Sequence, residues 1–179
     1  MVSHIYFDWS GTLAKSDGLR RKTRKARKAR KARKARKARR TRRKGDCKMI
    51  YSDVKPMLEY LCLKGYTLGM ITNSDKDVSY LVTCLIRYGL MPYFKGAIVV
   101  ASMKDMKEKP RSIIFKKALD MDGIRPSNAL MVGNKYNVDV EGAKGIGMKT
   151  AFVDRKNKGP TGKEDIYIQN ILELGLYLK

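Results

Sequence analysis

The 179-residue chain contains no apolar run approaching 18 residues, which excludes a membrane-spanning helix. Cysteine is scarce. The three residues Cys47, Cys62 and Cys84 show no Cys-x-x-Cys or His-paired spacing, which argues against a disulfide framework or a zinc site. No amino-terminal stretch reads as a signal peptide, so the expectation is a soluble protein of a reducing compartment, cytoplasmic or nuclear. Aromatic residues are absent from 15 to 50. That stretch therefore offers no platform for stacking bases, and single-strand or sequence-specific base readout is not expected of it. Acidic residues are absent from 20 to 44.

This last absence coincides with the strongest positive feature. Of 40 lysines and arginines, 18 lie in residues 20 to 44; the rest of the chain sets 22 bases against 17 acids, the balance of an ordinary globular protein. The formal charge of +23 thus belongs mostly to one tract. Lys-Ala-Arg recurs there from Lys25 through Arg39 at a period of three. All three residues favour helix, but a three-residue period drifts around a 3.6-residue helix and spreads charge over every face, so self-repulsion opposes folding. The tract is expected to be disordered alone and helical when neutralised by a polyanion. Arg24, Lys25, Arg27, Lys28, Arg30, Lys31, Arg33, Lys34, Arg36, Lys37, Arg39 and Arg40 are the expected contacts to DNA or RNA phosphates, through salt-dependent binding. A nuclear-localisation signal, an anionic membrane surface and a partnerless repeat fit the same composition.

Outside the tract, the pattern alternates between buried strands and amphipathic helices. Ile5 to Phe7, Thr67 to Ile71, Ala97 to Ala101, Asn128 to Val132 and Thr150 to Val153 read as core strands, with Ile166 to Ile168 at an edge. Helices are expected over Val54–Lys64, Val78–Tyr88, Ser112–Leu119 and Asn170–Leu178. Strands and helices alternating at this length argue an α/β fold, a Rossmann-like doubly wound parallel sheet. Residues 1–14 and 50–179 form its core domain, and 15–49 are a basic low-complexity insert.

Polar residues cluster where the strands end. Asp8 follows Ile5-Tyr6-Phe7 and leads into Ser10-Gly11-Thr12; Thr72-Asn73-Ser74 follows the second strand; Lys109-Pro110 precedes a helix; Gly133-Asn134 and Asp139 follow the fourth strand. The carboxyl ends of strands line the ligand crevice of open α/β sheets. A carboxylate held there can attack phosphorus or ligate a hard cation, although a plain turn aspartate has the same local pattern. Ser74 or Asp75 reads as a helix N-cap.

These four clusters resemble, in order, the motifs of the haloacid dehalogenase-like superfamily of phosphatases and phosphotransferases. Asp8-Trp9-Ser10-Gly11-Thr12 is similar to its Asp-x-Asp-Gly-Thr, Thr72-Asn73 to its second motif, Lys109-Pro110 to its third, and Gly133-Asn134 with Asp139 to its Gly-Asp-x-x-x-x-Asp. The resemblance implies a phosphorylated substrate and Asp8 as nucleophile. It implies Thr72, Asn73 and Lys109 as phosphate ligands, and Mg²⁺ held by Asp8, Ser10, Asn134 and Asp139. It places the basic tract where members carry a cap domain, so the cap is minimal or missing. Two motif acids are changed. Ser10 stands where the resemblance puts the acid that protonates the leaving group, a loss that typically costs about 10² to 10⁴ in rate, although its carbonyl can still ligate metal. Asn134 brings an oxygen without charge, which lowers metal affinity. The expectation is a weakly active Mg²⁺-dependent phosphohydrolase; the alternative is a degenerate member that binds nucleic acid through its basic tract.

Overall fold

The computed structural model describes residues 1–16, 47–101 and 109–178. The twelve tract residues expected to meet phosphates, and nearly all of the insert, lie outside the described residues. Six strands form one sheet, β1 (His4–Phe7), β2 (Thr67–Asn73), β3 (Ile98–Ala101), β4 (Ala129–Gly133), β5 (Lys149–Val153) and β6 (Ile166–Ile168). Their order is β3-β2-β1-β4-β5-β6, and every pairing is parallel. The helices are α1 (Val54–Leu63), α2 (Val78–Arg87), α3 (Ser112–Asp122) and the short α4 (Glu141–Lys144).

Side-chain alternation sends each strand's apolar residues to two faces, as expected for a sheet covered on both sides. Ile5, Phe7, Leu68, Met70, Leu130 and Val132 share one core cluster with Val54, Met57, Leu58 and Leu61 of α1 and Leu81, Cys84 and Leu85 of α2. Tyr6, Ile71, Val99 and Met131 pack on the other face with Ile114, Phe115, Ala118 and Leu119 of α3. Each such fully buried side chain contributes about 1.5–3 kcal/mol relative to exposure. Gly69 is needed where Tyr6 crosses β2, because a Cβ there would lie 2.6 Å from the Tyr6 ring.

The strand order places the site. Strand order reverses at β1, which pairs with β2 on one side and β4 on the other, so the carboxyl end of β1 opens into a crevice between diverging connections. Asp8 follows that end directly, and its backbone N–H donates to the Val132 carbonyl at 2.9 Å.

Three local expectations need correction. Cys47 and Cys84 are joined by a disulfide with a Cα–Cα separation of 5.4 Å, so scarcity and irregular spacing did not exclude pairing; only Cys62 is free. The amino-terminal cap of α2 is Asp77, not Ser74 or Asp75, and its carboxylate accepts from the Tyr80 N–H and the Ser79 hydroxyl. The closing helix is a 3₁₀ segment, Ile171–Leu176, whose first turn is capped by Asn170 accepting from the Leu172 N–H. No helix among the described residues is long and apolar enough to cross a membrane.

Candidate active site

Four elements deliver side chains to the crevice. Gly11, with φ +95°, turns the chain sharply after Asp8. A Cβ at Gly11 would collide with the Asn134 amide, so the β1 and β4 loops touch only because this residue has no side chain. Thr72 stands near the end of β2, Lys109 just ahead of α3, and Asp139 in the π-helical turn Tyr136–Val140 that leads into α4.

At the centre Lys109 lies between two carboxylates. Its Nζ donates to Asp8 Oδ1 at 2.8 Å, to Asp139 Oδ1 at 2.6 Å and to the Ile71 carbonyl at 2.9 Å. All three ammonium hydrogens are thereby used. The residues are almost sealed, with 4%, 2% and 0% of Asp8, Lys109 and Asp139 exposed. The triad carries a net charge of −1. Burial alone would push the Lys109 ammonium down, but the attraction of Asp8 and Asp139 outweighs it and raises its pKa. Burial also pushes the Asp139 carboxyl up, against the pull of Lys109 and with the repulsion of Asp8.

The remaining contacts set the orientation of these groups. Thr72 Oγ1 donates to Asp8 Oδ1 at 3.0 Å. The Asn73 amide pairs with the backbone of Lys109, Nδ2 donating to its carbonyl at 2.9 Å and Oδ1 accepting from its N–H at 2.8 Å. Asn73 therefore holds Lys109 in place. Asp139 Oδ2 accepts from the Lys135 N–H at 3.0 Å, so both Asp139 oxygens are engaged by protein. Gly133 approaches Asp139 so closely that a Cβ there would overlap the carboxylate.

Among the described residues two side-chain polar atoms are buried without partners, Asp8 Oδ2 and Trp9 Nε1. An orphaned carboxylate oxygen is costly to bury and is the atom left to meet an incoming electrophile or cation. Asn134 Oδ1, which accepts a long 3.4 Å contact from Thr12 Oγ1, is a second oxygen at the same mouth, and the Ser10 carbonyl belongs to the same loop as Asp8. These are hard oxygen donors and suit a cation such as Mg²⁺ in kind. They are poor in charge: among the described residues no group of three or more His, Cys, Asp or Glu could hold a metal ion.

The structure thus brings Asp8, Thr72, Lys109 and Asp139 together and sets Ser10 and Asn134 at the rim. Residues the sequence pattern did not single out also matter. Arg155 donates to the Thr12 carbonyl at 3.1 and 2.8 Å and forks onto Asp53 at 2.9 and 3.1 Å, fixing the loop that follows Asp8. Lys48 donates to Ser10 Oγ at 3.0 Å. Thirty-eight residues separate that pair, across the whole basic tract, so no local spacing could have signalled it.

A parallel sheet with a buried carboxylate–ammonium–carboxylate triad at its switch point defines a Rossmann-like α/β protein whose ionised side chains gather at the crevice. The family model described as haloacid dehalogenase-like hydrolase matches residues 7–153, and the chain belongs to that family. Glyceraldehyde 3-phosphate phosphatase of Methanothermobacter thermautotrophicus is 40% identical over 91 residues, 51% of this chain and 38% of that enzyme. Phosphoserine phosphatase of Thermus thermophilus is 27% identical over 129 residues, 71% of this chain and 50% of the enzyme. The chain spans half or less of the length of these two relatives. Among solved structures, a HAD phosphatase from Thermococcus onnurineus matches with a TM-score of 0.71 at 24% identity, covering 99% of this chain and 98% of that one. CbbY from Rhodobacter sphaeroides, in complex with phosphate, matches with a TM-score of 0.67 at 18% identity, covering 98% and 97%. Both show the fold.

Proposed function

We propose that the protein is a phosphohydrolase that cleaves phosphate monoesters through an aspartyl-phosphate on Asp8. The observation that supports this most is the state of Asp8: Oδ1 is held by Thr72 and Lys109 while Oδ2 is buried and unpartnered. A fixed carboxylate with one idle oxygen is prepared for in-line attack, and the Lys109 ammonium beside it offsets charge on the phosphoryl oxygens. Thr72 and Lys109 are the phosphate ligands of this reading, and Asn73 and Asp139 position Lys109. Asp8, the Ser10 carbonyl and Asn134 Oδ1 would hold Mg²⁺, which when bound neutralises phosphoryl charge. With one carboxylate among those donors, affinity for the metal is low. The relatives' names, glyceraldehyde 3-phosphate phosphatase and phosphoserine phosphatase, support small phosphorylated metabolites as the substrate class.

The two changed acids, Ser10 and Asn134, favour a second reading: a degenerate member that binds DNA or RNA through residues 20–44. Hydrolysis of p-nitrophenyl phosphate with and without Mg²⁺, by the wild type and by Asp8→Asn, separates the two. The enzyme reading expects metal-dependent turnover lost in the variant. Equal rates for both proteins would leave the binding reading.

A further inference from the structure

We infer that Lys48, acting through the Ser10 hydroxyl, stabilises the leaving group at the mouth of the site. The inference rests on the phosphohydrolase reading. Thr72 and Lys109 close the inner side of Asp8, and Asp8 itself is almost fully buried, so a phosphoryl group must approach from the crevice mouth. In-line displacement then sets the departing oxygen on the far side of phosphorus, directed outward. Ser10, two residues beyond Asp8 and half-buried, stands at that mouth. Lys48 Nζ donates to Ser10 Oγ at 3.0 Å, which occupies a lone pair of the hydroxyl and leaves its hydrogen to be given elsewhere. A hydroxyl polarised by an ammonium is a stronger donor than an isolated serine, because charge-assisted and chained hydrogen bonds reinforce one another.

Lys48 is held in register from both sides. Cys47 is bonded to Cys84 of α2. Met49 accepts from the Lys15 N–H at 2.7 Å, the Tyr51 N–H donates to the Leu13 carbonyl at 3.0 Å, and Ala14 bridges Ile50 in antiparallel fashion. Ala14 in turn bridges Ser10 and accepts from the Gly11 N–H at 2.6 Å. The returning end of the insert is therefore tied to the catalytic loop itself, and the ammonium is positioned before substrate arrives. Preorganised charge of this kind costs no reorganisation during reaction.

In the first step the Asp8 carboxylate forms a bond to phosphorus and the phosphorus–oxygen ester bond breaks. The departing alkoxide receives a hydrogen bond from Ser10 and takes its proton from water, while Lys48 keeps all of its own. In the second step water adds to phosphorus, the aspartyl–phosphorus bond breaks, and carboxylate and inorganic phosphate are released. Ser10 is the group that touches the leaving oxygen; Lys48 is its positioning residue.

The test is the leaving-group dependence of turnover in the full-length protein with Mg²⁺. Wild type, Lys48→Met, Lys48→Arg and Ser10→Ala are compared on 2,4-dinitrophenyl phosphate, whose leaving group needs no help, and on an alkyl phosphate, glycerol 3-phosphate. Lys48→Met and Ser10→Ala should lose about 10-fold or more in kcat on the alkyl ester, less than the ~10²–10³ for removal of an enclosed oxyanion donor because the site is half open. Lys48→Met should stay within about twofold of wild type on the dinitrophenyl ester, and Lys48→Arg should recover most of the alkyl rate because it restores the charge. Equal losses on both esters would mean a merely structural residue, and no loss on either would remove the role; both outcomes overturn the inference with Asp8-dependent turnover intact. Absence of any Asp8-dependent turnover in the wild type would overturn the phosphohydrolase reading and this inference with it.

Discussion

Removing the Arg155 fork should loosen the catalytic loop and the fold together. Arg155 reaches from beyond β5 to Asp53, just before α1, and to the Thr12 carbonyl, and its guanidinium lies 3.7 Å from the centroid of the Tyr51 ring. Asp53 also accepts from the Ile171 N–H at 2.9 Å, so one ion pair joins the amino-terminal loop, α1 and the closing segment. Its side chains retain only 13% and 11% exposure. Breaking a buried pair costs about 3–5 kcal/mol; the residual exposure argues for the lower edge, and the stacking on Tyr51 adds about 0.5–1 kcal/mol. Arg155→Met, which keeps the apolar stem, should therefore cost about 3–4 kcal/mol and lower Tm by roughly 6–16 °C for a chain of this size. Arg155→Lys keeps the charge without the fork and should recover roughly half of the loss. Urea melts followed by circular dichroism give both numbers, and a double-mutant cycle with Asp53→Asn isolates the pair. An Arg155→Met variant within 1 kcal/mol of wild type would refute the latch.

Three further outcomes follow from the same contacts. Lys109→Met strips the counter-charge from Asp8 and Asp139, 2.8 and 2.6 Å away, and should abolish turnover while costing about 3–5 kcal/mol; Asp8→Asn should cost less, because it relieves a net −1 cluster, and equilibrium melts of the two variants check the order. Burial alone would push the Asp154 carboxyl up, but bonds from the backbone N–H groups of Lys158, Lys156 and Gly159 and from the Tyr167 hydroxyl hold it below the usual carboxylate range. Its stabilisation is therefore complete above the ordinary aspartate pKa and lost as pH falls through the depressed value, and Asp154→Asn should flatten the acid limb of a stability–pH curve. Cys47→Ser opens a cross-link spanning 37 residues, for which chain entropy gives about 4 kcal/mol, read as a lower urea midpoint that reductant reproduces in the wild type.

The core strands were legible in the sequence because each is a short apolar run ending in a polar cluster, and the candidate site was legible wherever a strand end carries one reactive side chain, as at Asp8 and Thr72. What remained hidden depends on contacts between distant residues. Arg155 meets Thr12 across 143 positions and Lys48 meets Ser10 across the basic tract, and neither pair leaves a periodic trace. Asn73 was visible as a polar strand-end residue, but its pairing with the Lys109 backbone emerges only when β2 and the loop before α3 lie side by side. The Asn170–Leu178 segment has helical spacing, yet Gly175 and its short length leave it as a 3₁₀ coil against α1.

The central claim is that Asp8 becomes phosphorylated during turnover. The direct measurement is acid quenching of the wild type with a phosphate monoester and Mg²⁺, followed by peptide mass spectrometry. The account predicts a phosphoryl group on the peptide that carries Asp8, absent from Asp8→Asn. Turnover without phosphate on that peptide, or with phosphate elsewhere, would contradict it.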